Sequence, residues 1–253
     1  MKKTLELQKL FVFFVVGCLF LFNLSCGLDV YEVIPAPTSV IHPLDYENED
    51  PAEKYFNFWT NEKFQLSNFT FLGTDVYYKI YNNYSTMLSD RATLQSLADS
   101  TTSTNSASTM RQSLSYQPLL YKGETSAVLI PAESANRQVY IRLSNYQDEP
   151  AYSARIFIGD KDNEAEAKAV GVPVRNTGGG TVCTFDFGRT GDNDLEPVNG
   201  DIDVKASSTA SEEGKWYVQL FAVGVARDNS FSTEYSNVLY IGAVTIDANQ
   251  EDN

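Results

Sequence analysis

The residue types best spaced for chemistry lie in one acidic run. Asp192, Asp194 and Glu196 alternate in Gly191-Asp192-Asn193-Asp194-Leu195-Glu196-Pro197, and Asp201 and Asp203 follow closely. Carboxylates crowded into a loop can wrap Ca²⁺, a hard cation that takes about 6–8 oxygen ligands. Counted from Asp192, Asp203 falls at the last position of a twelve-residue calcium loop. Two features oppose the ion: Pro197 stands where such a loop needs Gly, and Asp203 is shorter than the bidentate Glu that closes it. The run reads first as a solvated acidic turn. No metal is assigned, and Asp192, Asp194, Glu196 and Asp203 remain calcium candidates only.

Other reactive residues are sparse. His42 is the one imidazole in 253 residues, so no His-rich metal site can be built and a Ser-His-Asp triad has a single candidate base. The glycines of Arg175-Asn176-Thr177-Gly178-Gly179-Gly180-Thr181 lack the Lys-Ser/Thr of a phosphate loop and precede a strand pattern. Asp186-Phe187-Gly188 has the order of a kinase Mg²⁺ motif without its companion loops. Carboxylate pairs abound, but a glycosidase pair is defined by a separation in space. No catalytic residue and no cofactor is expected, and a carboxylate-based hydrolase is the least favoured reading.

Charge removes a further class. With 19 basic and 33 acidic side chains the net charge is −14, so phosphate backbones are repelled and nucleic acid is excluded as a partner. What remains is aromatic: 15 Tyr, 15 Phe and 2 Trp. Tyr77, Tyr81, Tyr84 and Tyr140 fall on the register opposite the apolar one and are expected to point outward, as a contact platform for a protein or a glycan. The competing reading is ordinary packing, because Tyr is often half-buried in β proteins.

The elements that must hold these residues are read from periodicity. Alternation of period two dominates: Phe56 with Phe58; Val76, Tyr78 and Ile80; Val139, Ile141 and Leu143; Val218, Leu220 and Ala222. Further short strands are expected over 127–130, 154–158, 182–187, 202–204 and 238–246. Cys183 shares a strand face with Phe185 and Phe187, which suits a buried thiol. One helix is expected over Arg91 to Ala98, capped by Ser89 or Asp90. The Ser/Thr-rich stretch 99–109 has little to bury and is expected to be a mobile loop, and 162–168 a short helical turn. The predicted fold is an all-β antiparallel sandwich with a short helical insertion and long loops.

The N-terminus carries an address. Lys2, Lys3 and Lys9 flank an apolar run from Leu10 to Phe22, too short to span a bilayer and of the length of a secretory signal. It ends in Phe22-Asn23-Leu24-Ser25-Cys26-Gly27, which resembles the lipobox of bacterial lipoproteins of the spirochaete type. The resemblance implies cleavage before Cys26 and lipidation of its thiol, and so attachment to a membrane of the cell envelope, on the periplasmic face or the cell surface. Val15-Val16-Gly17-Cys18 fits the box more strictly, but cleavage there leaves only seven apolar residues, Leu10 to Val16, ahead of it. The domains expected are a leader over 1–25, a Pro-containing tether over 26–43, one sandwich over 44–248 and an acidic tail over 249–253. Removing residues 1 to 25, which carry Lys2, Lys3, Lys9 and Glu6, leaves a mature charge of −16. Anionic headgroups repel such a body, so the acyl chains must do the holding.

The sandwich also has a resemblance. Lys54-Tyr55-Phe56-Asn57-Phe58-Trp59 and Asp75-Val76-Tyr77-Tyr78-Lys79-Ile80-Tyr81 look like the B and C strands of fibronectin type III-like domains. Trp216-x-Val218-x-Leu220-x-Ala222-x-Gly224 with Val238 to Ile241 resembles that family's F and G strands, while the long middle, from about Leu88 to Gly214, has no counterpart in a minimal domain. The expectation is a lipid-anchored, non-enzymatic binding or interaction module whose protein or glycan partner is unknown; a carbohydrate-binding module using exposed Tyr and Trp is the alternative.

Overall fold

The computed structural model describes residues 32–39, 43–64, 67–100, 105–123, 127–146, 152–159, 167–180, 182–188 and 195–248. Cys18, Cys26, His42, Asp192, Asp194 and the tail 249–253 lie outside them, as does the helical turn expected at 162–168 up to residue 166; Lys168, its last residue, opens a strand instead. In chain order the elements begin with strands β1 (Phe56–Trp59) and β2 (Phe69–Tyr81), helix α1 (Tyr84–Ala98), and strands β3 (Gln117–Pro118), β4 (Leu120–Tyr121) and β5 (Ile130–Pro131). Next come β6 (Gln138–Arg142), β7 (Arg155–Ile158), β8 (Lys168–Gly171), β9 (Pro173–Asn176) and β10 (Val182–Cys183). The last are β11 (Val204–Lys205), β12 (Lys215–Asp228), β13 (Thr233–Tyr235) and β14 (Leu239–Asp247).

One sheet runs β1-β6-β7-β8. The larger sheet is built on β12, which pairs with β2 along one side and with β14 and β13 along the other. These ladders are antiparallel; β11 alone joins β2 in parallel among the described strands. Phe56 and Phe58 face Ile80, Val218 and Leu220 across the gap between the sheets, in one core that also takes Val139 and Ile141. Two sheets closing on alternate side chains make an antiparallel sandwich, as the periodicity requires. Trp59 shares the other face of β1 with Asn57 and, at 37% exposed, points away from that core.

The larger sheet is buried on both faces. Tyr77, Tyr81 and Phe221 pack against Met87 and Leu94 of α1 and against Met110. The helix begins at Tyr84, well before the expected Arg91, because Asn83 Oδ1 accepts the Thr86 N–H at 3.1 Å and caps it there. Asp90 is not a cap: buried at mid-helix, it accepts from Tyr81 Oη at 2.9 Å and from Lys205 Nζ at 2.8 Å. Within the stretch 99–109 expected to be a mobile loop, the described residues from Ser106 onward are helical. A turn of helix over Ser106–Ser108 runs into a π-helix over Thr109–Ser113. It is fixed by burial of Ala107 and Met110 and by the Ser106 hydroxyl, which donates to Asn237 Oδ1 at 2.8 Å.

From Val33 on, the described residues belong to one compact unit, with Ile34 buried and Thr38 bridging Trp59. Leu44 then docks on β14 at Gly242, where φ is 132° and an added Cβ would stand only 2.4 Å from the Leu44 nitrogen, so no side chain fits. Cys183 is buried, as are Phe185 and Phe187. No helix among the described residues is long and apolar enough to cross a membrane.

Candidate functional site

Of the calcium candidates, two are described, Glu196 and Asp203, and both are bonded to protein side chains. Asp203 is fully buried, its carboxylate held by Arg175 through Nε at 3.0 Å and Nη2 at 2.9 Å, and it accepts the Tyr78 hydroxyl at 2.8 Å. Burial disfavours the Arg175 cation, but its bond to Asp203 and the adjoining charge outweigh this and raise its pKa. Asp201 joins the same guanidinium at 2.9 Å. Glu196 sits at the surface and accepts from Trp216 Nε1 at 3.1 Å. The acidic run is thus in part a clamp: two of its carboxylates pin the 195–203 segment to β9 through one arginine. No group of three or more His, Cys, Asp or Glu that could hold a metal ion occurs among the described residues.

Three of the four tyrosines expected to point outward do not. Tyr77 and Tyr81 lie under α1 and the 106–113 helical segment, at 5% and 0% exposed. The Tyr81 hydroxyl is tied to Asp90 and to Tyr116, whose own hydroxyl donates to Gln219 Oε1. Tyr140 is buried on the outer face of the smaller sheet, stacked on Phe157 at 5.2 Å and edge-on to Tyr55. Alternation separates two faces of a strand, and here the second face is covered as well.

Tyr84 is the exception, and it opens a site. It stands at the first position of α1, 41% exposed, because the cap at Asn83 turns the chain outward at the end of β2. Its ring stacks on Tyr46 at 6.2 Å and 12°, and Tyr217 of β12 meets both edge-on, at 6.1 and 5.8 Å. The three phenols form one wall of a cavity of about 610 Å³ at the end of the sandwich where β12 begins and β14 ends. That volume is within the about 300–1,000 Å³ of small-molecule sites.

The rest of the lining is polar. Glu47, Glu49, Glu212 and Asp247 bring four carboxylates, against Lys54 and Lys215. Both lysines are engaged: Lys215 pairs with Glu212 at 2.6 Å, and Lys54 lies over the Tyr146 ring at 4.8 Å. The acidic surroundings leave their mark on neighbouring pKa values. The Glu212 bond raises Lys215; burial and then the Glu47 carboxylate raise Tyr46; burial and then Glu212 raise Tyr217, so both phenols stay neutral. Lys54 is lowered by burial despite Glu49. Ser144, also in the lining, donates to Asp186, which gives the carboxylate of the Asp-Phe-Gly triplet a structural partner.

Sequence reasoning found Tyr84 and missed Tyr46 and Tyr217. Tyr46 lies among Asp45, Glu47 and Glu49, so a ring inside an acidic segment was a local signal. Nothing local joins it to Tyr217. A scan against family models, a search of curated proteins and a search of solved structures each find no match to the chain.

Proposed function

We propose that this chain is a non-enzymatic binding module of the bacterial cell envelope, held to a membrane by acyl chains on Cys26 and taking its ligand in the tyrosine-walled cavity. The observation that carries the reading is the convergence of Tyr46, Tyr84 and Tyr217 at the mouth of that cavity. Rigid aromatic rings supply contact area at small entropic cost, which suits recognition.

A fibronectin type III-like identity for the sandwich is part of the proposal. It is supported by Thr38, β1 and β6 pairing in one sheet, by β2, β12 and β14 in the other, and by the parallel bridge of Leu44 to Gly242. Such a scaffold leaves function to the loops at its ends.

Melting of the full chain against size-fractionated envelope extract tests the binding site. At least one fraction should raise the melting temperature of wild type and leave Tyr84→Ala unchanged. If no fraction does so, or if both proteins respond alike, the cavity is not the binding site.

A further inference from the structure

We propose, building on the reading of this cavity as the ligand site, that its ligand is an uncharged saccharide, with a sugar ring laid against the Tyr84 wall and its hydroxyls bonded to the carboxylates of the rim. The class follows from three properties of the lining taken together. A pyranose has an apolar C–H face and a circumference of hydroxyls. Phenol rings that carry negative charge density on their faces attract the C–H side, and Tyr84 has ring surface exposed for this.

The hydroxyls need acceptors, and the cavity is rich in them. Glu47, Glu49 and Asp247 line it beside the Glu212–Lys215 pair, so a sugar O–H can donate to an ionised oxygen, the stronger kind of hydrogen bond. Asn48 and Thr245 add amide and hydroxyl groups to the same lining.

Charge then selects among saccharides. Four carboxylates face two lysines, and each lysine already has a partner, Glu212 for one and the Tyr146 ring for the other. A uronic acid, a sialic acid or a phosphorylated sugar would bring a further negative group into a field that is already net negative, with one of its two lysines paired to Glu212. A fatty chain is disfavoured for a different reason: it would strip water from the carboxylates without replacing their hydrogen bonds.

The test uses the full-length lipidated chain in a detergent without a sugar headgroup, so that no glycoside competes. It is screened on an array of neutral and acidic glycans of matched length, and a neutral hit is then titrated by calorimetry into wild type, Tyr84→Ala and Glu49→Gln. Neutral glycans should bind. Tyr84→Ala should weaken the hit by about tenfold or more, and Glu49→Gln by a smaller factor. Acidic glycans should bind about tenfold or more weakly than neutral ones at low salt, with the gap narrowing as salt screens the carboxylates. Binding of acidic glycans in preference to neutral ones, binding unaffected by Tyr84→Ala, or no glycan binding at all would each overturn the saccharide assignment. If no glycan binds while an extract fraction still stabilises wild type and not Tyr84→Ala, the saccharide class fails and the cavity stands as a site. If neither responds, both fail.

Discussion

Asp75 makes stability depend on pH in a direction opposite to that of most carboxylates. It lies on β2, inside the contact between that strand and the 127–131 segment, where Oδ1 accepts the Leu129 N–H at 2.8 Å. Burial pushes its pKa up to about 6 from an ordinary 3.8, although the Leu129 bond and the Arg111 charge pull the other way. Below the ordinary value the carboxyl is protonated in folded and unfolded chains alike, and no cost arises. Between the two values the unfolded chain has released its proton while the folded chain keeps it. Stability therefore falls as pH rises through this window, by about 1.4 kcal/mol per unit and by about 3 kcal/mol in all.

Asp75→Asn keeps an acceptor for Leu129 and removes the titration. Urea denaturation of both proteins, followed by tryptophan fluorescence from about pH 3.5 to about pH 7, isolates the effect, because the other carboxylates cancel in the difference. The variant should gain about 3 kcal/mol on wild type over that range. A difference that stays flat within about 0.5 kcal/mol, or that runs the other way, refutes the assignment of a half-buried, proton-retaining Asp75.

Other perturbations bear on the clamp, the docked N-terminal segment and the anchor. Arg175→Met strands the fully buried Asp203 and should cost about 3–5 kcal/mol in urea denaturation; a loss below about 1 kcal/mol would show that the pair carries no strain when broken. For the same reason millimolar Ca²⁺ should leave the melting temperature unmoved, since Asp203 is occupied by arginine, and a rise of several degrees would restore the calcium reading. Gly242→Ala should destabilise by about 1–3 kcal/mol through backbone strain and clash at Leu44, and protease digestion should then cut earliest in the 33–44 segment. Radiolabelled palmitate should enter the wild-type chain and not Cys26→Ser; incorporation that survives the substitution, and is lost in Cys18→Ser, would move the anchor to Cys18.

How much was legible in advance differs by element. The inward sets Phe56 and Phe58, Val76, Tyr78 and Ile80, and Val218, Leu220 and Ala222 were readable because a strand alternates its side chains regardless of what surrounds it, and they now line one core. The start of α1 was missed because Asp90 has the chemistry of a cap and is spent instead on Tyr81 and Lys205, partners supplied by β2 and β11. Ser106 to Thr109 was misread as loop because that stretch holds little to bury, and Ala107, with the Met110 that follows it, is met by the larger sheet.

By itself the sequence determined the properties that depend on neighbours along the chain: the period-two strands and a net charge of −14. Tertiary structure decided what lies on each strand's second face and which distant residues converge. Tyr77 and Tyr140 share a pattern with exposed tyrosines and are buried because a helical layer and neighbouring rings cover them. Asp203 carries the chemistry of a calcium ligand and is an arginine's counter-ion because β9 brings Arg175 beside it. Tyr46, Tyr84 and Tyr217 become one wall because a docked N-terminal segment, a helix cap and a central strand end at the same point, a coincidence in space that no local spacing encodes.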